Sequence, residues 1–272
     1  MHTVIDTYSR LADQYDDPSN LNSCWGSVAR HSLDLVTLED RHKVVVDVGC
    51  GVGRELERLA ARHASDVHFI GVEPAANMRA IATARAANYP NVELLDGRFE
   101  DLPLESMCAD YLYSILAFHW TTDVDASVRE LARVLKPTGE MDLTFIGRHN
   151  GREFIRATTP VFYKYMGPKM IVEAAQMRKQ LTVEEARAAF AKAFEPDRLS
   201  VTESYLTYYD TLDGHWAWWV RVESQFVNIP PAVRDECNRE VRAALGTLAT
   251  EKGISYTVHL LHVKSSNALP AV

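Results

Sequence analysis

The segment Val44–Ala60, "VVVDVGCGVGRELERLA", decides the fold of this chain. Its apolar start predicts a buried strand, its glycines predict a tight turn, and its end places apolar side chains at helical spacing. The glycines are Gly49, Gly51 and Gly53, and the helix is expected to begin near Arg54. Such a unit is suited to holding a ligand, because glycine lets the backbone come close and the helix N-terminus presents free N–H groups.

Strand and helix patterns alternate around this segment. Between residues 43 and 147, five apolar strand patterns are separated by helical patterns. This order implies right-handed crossovers and a parallel sheet with helices on both faces. Two more strand patterns follow, at 198–210 and 254–266. The sequence therefore predicts an α/β fold with a doubly wound, mostly parallel seven-stranded sheet.

The segments outside the alternating region predict a helical lid and a helical cap. Near the N-terminus, apolar and aromatic residues recur every three or four positions, as in a helix. After residue 150, two helical blocks are too small to be independent domains, so we expect them to cap the carboxyl edge of the sheet. The predicted parts are a lid at 1–40, a ligand-binding core at 41–150, cap insertions at 151–197 and 211–253, and the last two strands at 198–210 and 254–266.

Charge and composition argue against several classes of partner. The net charge is −8 and no basic stripe is present, which disfavours nucleic acid as a substrate. No stretch reaches the roughly 18 apolar residues of a membrane span, and the N-terminal segment lacks a signal-peptide pattern. Metal ligation is not expected, because the cysteines Cys24, Cys50, Cys108 and Cys237 lie far apart. We expect a cytoplasmic protein, either a monomer or a homodimer.

The glycine turn differs from the two common phosphate-binding motifs. Its frame is D-x-G-x-G-x-G, beginning at Asp47, and Arg54 stands where the dinucleotide fingerprint has its third glycine. No Gly-Lys-Ser/Thr follows, so it is not a P-loop. Glu73 ends the next strand pattern, 20 residues after Gly53, where an acid accepts bonds from both hydroxyls of a ribose. These residues indicate a ribose-containing ligand and leave a nicotinamide dinucleotide open, although Arg54 counts against it.

Five stretches in order carry a more specific resemblance. They are "VVVDVGCGVG", "GVEPAANM", "DGRFEDLPL", "ADYLYSILAFHW" and "ELARVLKPTGEM". Together they resemble the class I S-adenosyl-L-methionine (SAM)-dependent methyltransferases over residues 43 to 147. The resemblance implies the Rossmann-like methyltransferase fold, SAM as cofactor and S-adenosylhomocysteine as product.

The resemblance also implies which residues bind the cofactor. The glycine loop would pass under the methionine part of SAM, with Asp47 organising its amine. Glu73 would bind the ribose, and Phe99 and Glu100 would flank the adenine, although Arg98 and Phe99 depart from the Asp-Ala common in the family. The implied cofactor site is Asp47, Gly49, Cys50, Gly51, Gly53, Glu73, Pro74, Met78, Phe99, Glu100 and Leu116.

Methyl transfer from a sulfonium is an in-line displacement, so much of the work of the protein is to position the nucleophile. His119 follows the fourth strand pattern and is the predicted catalytic residue, as a general base or by orienting a substrate oxygen; a purely structural histidine is the alternative. The predicted substrate-binding residues are Tyr8, Tyr15, Trp25 and Trp120, for each of which core packing is the alternative.

The layout of insertions is similar to that of the trans-aconitate and malonyl-acyl-carrier-protein methyltransferases, which methylate carboxylates. The sequence therefore predicts SAM-dependent O-methylation of a small-molecule carboxylate. Three alternatives stay open. They are N-methylation or hydroxyl O-methylation of a small metabolite, SAM binding without methyl transfer, and a nicotinamide oxidoreductase.

Overall fold

The structure is a computed structural model that describes residues 4–63, 66–221, 224, 227 and 229–266. The strands are β1 (Val44–Val48), β2 (His68–Val72), β3 (Val92–Leu95), β4 (Ala109–Ile115), β5 (Leu135–Ile146), β6 (Leu199–Asp210) and β7 (Ile254–Ser266). They form one seven-stranded sheet in the order β3-β2-β1-β4-β5-β7-β6. The pairs among β1 to β5 are parallel, and β7 runs antiparallel to β5 and to β6. The predicted fold class is confirmed.

The helices cover both faces of the sheet and one of its edges. They are α1 (Val4–Arg10), α2 (Ala12–Tyr15), α3 (Cys24–Leu33), α4 (Arg54–Ala60), α5 (Ala76–Arg85), α6 (Val124–Val134), α7 (Arg152–Gln176), α8 (Val183–Phe190), α9 (Leu212–Arg221) and α10 (Arg234–Gly246). Within the described residues, no helix combines the length and the apolar character that crossing a membrane requires.

The central strand β1 explains why the decisive segment is continuously apolar. Successive side chains of a strand point to opposite faces, and both faces of β1 are covered by helices. Val45 packs with Leu56 of α4 on one face, whereas Val46 packs with Leu131 of α6 on the other. Both valines are fully buried. Because both faces of β1 are buried, its sequence is apolar almost throughout and lacks the alternation of apolar and polar residues that is typical of a half-exposed strand.

The N-terminal lid is formed by α1, α2, a 3-10 turn and α3. The helical pattern predicted near the N-terminus is interrupted at Leu11, which lies between the end of α1 and the start of α2. The carboxylate of Asp16 then joins the lid to the core, because it lies 2.6 Å from the guanidinium of Arg54 and 2.7 Å from that of Arg85.

The cap has an apolar cluster of its own. Its helix α7 breaks at Gly167, whose φ of 71° lies in the left-handed region, and Pro168 follows. Behind this break, α7, α9 and α10 pack around Met166, Val241 and Leu245. Within the cap insertion predicted at 211–253, α9 ends at Arg221 and α10 covers Arg234–Gly246. Residues 222, 223, 225, 226 and 228 lie outside the described residues.

Helix α8 belongs to the main core, although its sequence falls within the first cap insertion. Phe190 of α8 is fully buried, and its ring centroid lies 5.3 Å from that of Phe118. Ala186 and Phe194 join the same apolar cluster beside β5 and β7. The periodicity of α8 indicates that one face of the helix is buried, but it does not indicate which element covers that face. The sequence therefore did not separate α8 from the cap.

Candidate cofactor and substrate site

A cavity of about 560 Å³ lies at the carboxyl ends of the parallel strands, beneath the lid. Its size is typical of a small-molecule site. Its lining includes most of the predicted site residues: Gly49, Cys50, Gly51, Glu73, Pro74, Met78, Phe99, Glu100 and Leu116 of the cofactor set, and Tyr8, Tyr15, Trp25 and Trp120 of the substrate set. Asp47, Gly53 and His119 do not line it.

The three glycines of the loop have two different roles, close packing and ligand access. All three have positive φ, 78° at Gly49, 56° at Gly51 and 75° at Gly53. A Cβ on Gly49 would lie 2.4 Å from the Cβ of Ala117, and a Cβ on Gly53 would lie 2.9 Å from that of Ala82. A Cβ on Gly51 would meet no atom of the described residues within 4 Å. Gly51 is therefore the glycine that leaves room for a ligand.

Glu73 connects the end of β2 to the glycine loop. Its Oε2 accepts a hydrogen bond from the N–H of Gly51 at 3.0 Å, and its Oε1 accepts one from the N–H of Ala75 at 2.8 Å. Burial raises the pKa of this carboxyl, and the two N–H donors oppose that rise. A carboxylate oxygen has two lone pairs, so each oxygen keeps one for a ligand hydroxyl. The sequence had indicated the ligand role of Glu73 but not its role in shaping the loop.

Asp47 is enclosed by the sheet and does not reach the cavity wall. It lies in β1 beside Gly71 of β2 and Tyr113 of β4, and it is 2% exposed. Burial raises the pKa of its carboxyl well above the usual range. Any contribution to an amine of the ligand would have to pass through the loop that follows it.

The residues after β3 and β4 form the opposite wall of the cavity. Phe99 packs edge-to-face on Phe118, with ring centroids 5.2 Å apart. The Oε1 of Glu100 accepts hydrogen bonds from the hydroxyl of Thr121 at 2.6 Å and from the N–H of Thr122 at 2.5 Å. Partial burial would raise the pKa of Glu100, but these donors outweigh it and lower the pKa to about 2. Glu100 is therefore ionised at neutral pH.

Backbone strain marks the turn after β4. Leu116 has a φ of 57°, which an L-residue with a side chain rarely adopts and which costs on the order of 1–3 kcal/mol. Its N–H donates to the carbonyl of Thr144 in β5 at 2.7 Å, which holds this conformation. The turn directs Leu116 and Ala117 into the cavity lining.

His119 is buried behind the cavity wall. It is 5% exposed, and no described group forms a hydrogen bond with its Nδ1. Burial lowers the pKa of its imidazole well below the usual value, and Arg178 lowers it further. The ring is therefore neutral at physiological pH. The structure brings its neighbour Trp120 to the cavity, but not the ring of His119.

Aromatic side chains from the lid, the core and the cap form one continuous surface in the cavity, which we call the aromatic wall. The ring of Tyr8 lies 5.6 Å from that of Trp120 and 5.8 Å from that of Tyr15, both edge-to-face. Trp218 of α9 lies 6.3 Å from Tyr15 and 6.3 Å from Trp25. Trp218 was one of many cap aromatics in the sequence, and only the fold distinguishes it from the rest.

Two polar residues that line the cavity were not predicted from the sequence. Asn20 donates both amide hydrogens to backbone carbonyls, those of Gln14 and Tyr15, each at 2.8 Å. Its buried Oδ1 has no partner among the described residues and is left as a free acceptor. Lys179, between α7 and α8, also lines the cavity. Neither residue belongs to a recognisable motif, so no sequence signal pointed to them.

The part of the chain that the structure describes contains no group of three or more His, Cys, Asp or Glu side chains suited to a metal ion.

Comparison with known proteins agrees with this geometry. Residues 46–141 match the family model described as "Methyltransferase domain". The chain is 29% identical over 158 residues to a malonyl-[acyl-carrier protein] O-methyltransferase from Methylovorus sp., covering 56% of this chain and 52% of that protein. It is 33% identical over 155 residues to a 2-phytyl-1,4-naphtoquinone methyltransferase from Trichormus variabilis, covering 54% of this chain and 66% of that protein. The chain thus spans about half to two thirds of the length of these curated relatives.

Among solved structures, the [4+2]-cyclase SpnF is similar to this protein over nearly its whole length. The TM-score is 0.57, and the match covers 97% of this chain and 98% of the other at 15% identity. At this identity the similarity concerns the fold alone.

Proposed function

We propose that this protein transfers the methyl group of SAM to a small molecule with a carboxylate as the acceptor, and that residues 46–141, which match the methyltransferase family model, form its class I SAM-dependent domain. The observation that carries the proposal is that one cavity joins the glycine loop and Glu73 to the aromatic wall. A cofactor part and an acceptor part are therefore continuous, as transfer between two bound molecules requires.

The residues present fit SAM in three respects. Glu73 keeps a free lone pair on each oxygen for the ribose hydroxyls. The open space beside Gly51 allows close approach to the loop. The buried, unpartnered Oδ1 of Asn20 is an acceptor suited to the α-amino group of the methionine part. When bound, SAM supplies a methyl group on a sulfonium, which is already a good leaving group.

The contribution of this chain to such a reaction is to position the acceptor and to exclude water. The lid covers the cavity with Tyr8 and Tyr15, and the cap closes it with Trp218. A carboxylate acceptor needs no proton removed, whereas an amine or a phenol often does. The neutral, enclosed His119 is consistent with an acceptor of the first kind. The similarity to a malonyl-[acyl-carrier protein] O-methyltransferase, which is named for O-methylation, supports the same choice.

A second candidate is a SAM-binding protein that catalyses a different reaction. The fold is also that of a protein named a [4+2]-cyclase, so the fold by itself does not select methyl transfer. Methylation of an amine or hydroxyl group is the alternative within methyl transfer. The nicotinamide alternative has lost its support, because the matched family covers the glycine loop and Glu73.

The test begins with calorimetric titration of the purified protein with SAM, S-adenosylhomocysteine and NADH. We expect the two sulfur ligands to bind and NADH not to bind. Incubation with SAM and a panel of carboxylic acids, amines and phenols, followed by mass spectrometry, should then give a methyl ester and S-adenosylhomocysteine. Binding of NADH alone would refute the cofactor assignment, and SAM binding without methylation of any compound would favour the second candidate.

The ribose assignment is tested by Glu73→Ala. We expect SAM affinity to fall by about 1–3 kcal/mol, roughly 5- to 150-fold, through lost hydrogen bonds to a charged acceptor. Glu93→Ala is the matched control, because Glu93 lies on the neighbouring strand β3 with an exposed side chain. Equal affinity of the two variants in calorimetry would contradict a contact between Glu73 and the ribose.

A further inference from the structure

We propose that the ammonium of Lys179 and the indole N–H of Trp218 bind the anionic group of the methyl acceptor, and that this acceptor is a carboxylic acid with an apolar body packed on the aromatic wall. The inference rests on the proposed function, and it assigns residues and an acceptor chemistry to the part of the cavity away from the glycine loop. The inference is based on which hydrogen-bond donors and acceptors of that cavity already have partners among the described residues.

The backbone of Lys179 is held in place, but its ammonium has no ion-pair partner among the described residues. Its backbone N–H donates to the carbonyl of His119 at 2.7 Å, so the segment between α7 and α8 lies against the turn that carries Trp120. Arg178 packs over the ring of Trp120, with its guanidinium carbon 4.7 Å from the ring centroid. The lysine lines the cavity, and its Nζ forms no hydrogen bond or ion pair with any described residue. A cation in this position attracts an anionic ligand.

Trp218 supplies a second donor to the same cavity. Its Nε1 is buried and has no hydrogen-bond partner among the described residues. A buried N–H without a partner is unfavourable, because it has lost its hydrogen bond to water and gained none in return. The cap helix α9 nevertheless brings this indole to the cavity beside Tyr15 and Trp25. A carboxylate oxygen would satisfy this donor.

The acids of the cavity already accept hydrogen bonds or form an ion pair within the protein, so they offer fewer free lone pairs to a cationic acceptor. Glu55 lies 3.4 Å from the guanidinium of Arg58. Glu73 accepts bonds from two backbone N–H groups, and Glu100 accepts bonds from Thr121 and Thr122. The unpartnered acceptor Asn20 is assigned to the amine of the cofactor. The ammonium of Lys179 and the indole N–H of Trp218, by contrast, are donors without a hydrogen-bond partner among the described residues.

The aromatic wall defines the rest of the acceptor. Tyr8, Tyr15, Trp25, Trp120 and Trp218 contribute large apolar surfaces with few polar atoms, and ring stacking adds to their affinity for flat apolar groups. An acceptor that pairs a carboxylate with such a body would use both the donors and the wall. A small, fully polar acid would leave the wall in contact with water.

The proposal can be tested without methyl transfer, by calorimetry on the protein saturated with S-adenosylhomocysteine. The probes are phenylacetate, its neutral amide phenylacetamide, and the cation phenethylamine. We expect phenylacetate to bind about tenfold or more tightly than either of the others, because only the acid can form an ion pair with Lys179. Lys179→Met should abolish this preference, and Lys179→Arg should retain it. Trp218→Phe should weaken the binding of phenylacetate more than the binding of the other two probes.

Matched controls separate this test from the test of the cofactor. Lys192→Met removes a lysine charge that is paired with Asp125 on the surface, away from the cavity lining, and should leave the preference unchanged. Titration with S-adenosylhomocysteine on every variant reports the cofactor part separately. Intact S-adenosylhomocysteine binding with equal or absent binding of acid and amide would overturn the inference and leave the proposed function standing. Preference for phenethylamine, or an unchanged preference in Lys179→Met, would overturn it as well.

Discussion

At the residue scale, the three glycines of the loop have different tasks that their spacing does not reveal. Gly49 and Gly53 allow Ala117 and Ala82 to pack closely, whereas Gly51 faces open space. The sequence indicated that all three were needed for ligand approach. The structure supports that role for Gly51 and gives the other two a packing role, because their absent Cβ atoms would overlap neighbouring side chains.

This division makes Gly51 the sharper test of ligand access. Gly51→Val should abolish detectable SAM binding, because the new side chain would occupy the open space beside the loop. Its φ of 56° also adds strain of roughly 1–2 kcal/mol, so the melting temperature should fall while circular dichroism stays largely unchanged. Gly246→Val is the control, since a Cβ there makes an ordinary contact of 3.6 Å with Leu212. Normal SAM binding by a folded Gly51→Val would refute the close-approach argument.

At the element scale, β7 shows how a strand buried on both faces accommodates polar side chains. His262 is 8% exposed, and its Nε2 lies 2.8 Å from the hydroxyl of Ser204 in β6. Its Nδ1 lies 3.3 Å from the hydroxyl of Thr144 in β5. Burial lowers the pKa of His262 to about 4, and the charges of His31 and Lys264 lower it further. The imidazole therefore links three strands in its neutral form.

This depressed pKa predicts a dependence of stability on pH. Between pH 6.5, the ordinary histidine value, and pH 4, the unfolded chain binds a proton that the folded His262 does not. The free energy of unfolding should therefore fall as the pH drops through this window, by up to about 3 kcal/mol from this residue. Urea unfolding across this range should give a flatter profile for His262→Gln than for the wild type. The control is His68→Gln, which changes an exposed histidine and should keep the wild-type slope. A wild-type slope in His262→Gln would contradict the prediction.

At the scale of the whole molecule, the cavity exists because the lid, the core and the cap meet over the carboxyl ends of the strands. One polar attachment of the lid is Asp16, which binds Arg54 at the start of α4 and Arg85 at the end of α5. Asp16 and both arginines are mostly buried, so these ion pairs are less screened than surface pairs. Tyr15, which lines the cavity, directly precedes this attachment.

Removing the attachment should loosen the lid. Asp16→Asn is expected to increase hydrogen–deuterium exchange in residues 4–33 and to weaken SAM binding, with exchange in β1 and β4 unchanged. Asp13→Asn is the matched control, since Asp13 lies in α2, which ends just before Asp16, is exposed and has no ion pair with a described residue. Equal exchange of the two variants would show that the other contacts of the lid, among them the hydrogen bonds from Asn77 to Ser9, suffice to hold it.

The sequence by itself determined the sheet, the glycine loop and the position of Glu73, because these depend on local periodicity and on short spacings along the chain. The order of apolar strands and amphipathic helices leaves few topologies, and a strand followed by glycines and a helix forms the same turn wherever it occurs. The tertiary structure alone decided that α8 joins the core, that Trp218, Asn20 and Lys179 line the cavity, and that the ring of His119 does not. These outcomes depend on which distant elements pack together and on how each side chain is oriented by that packing, and neither leaves a periodic signal in the sequence.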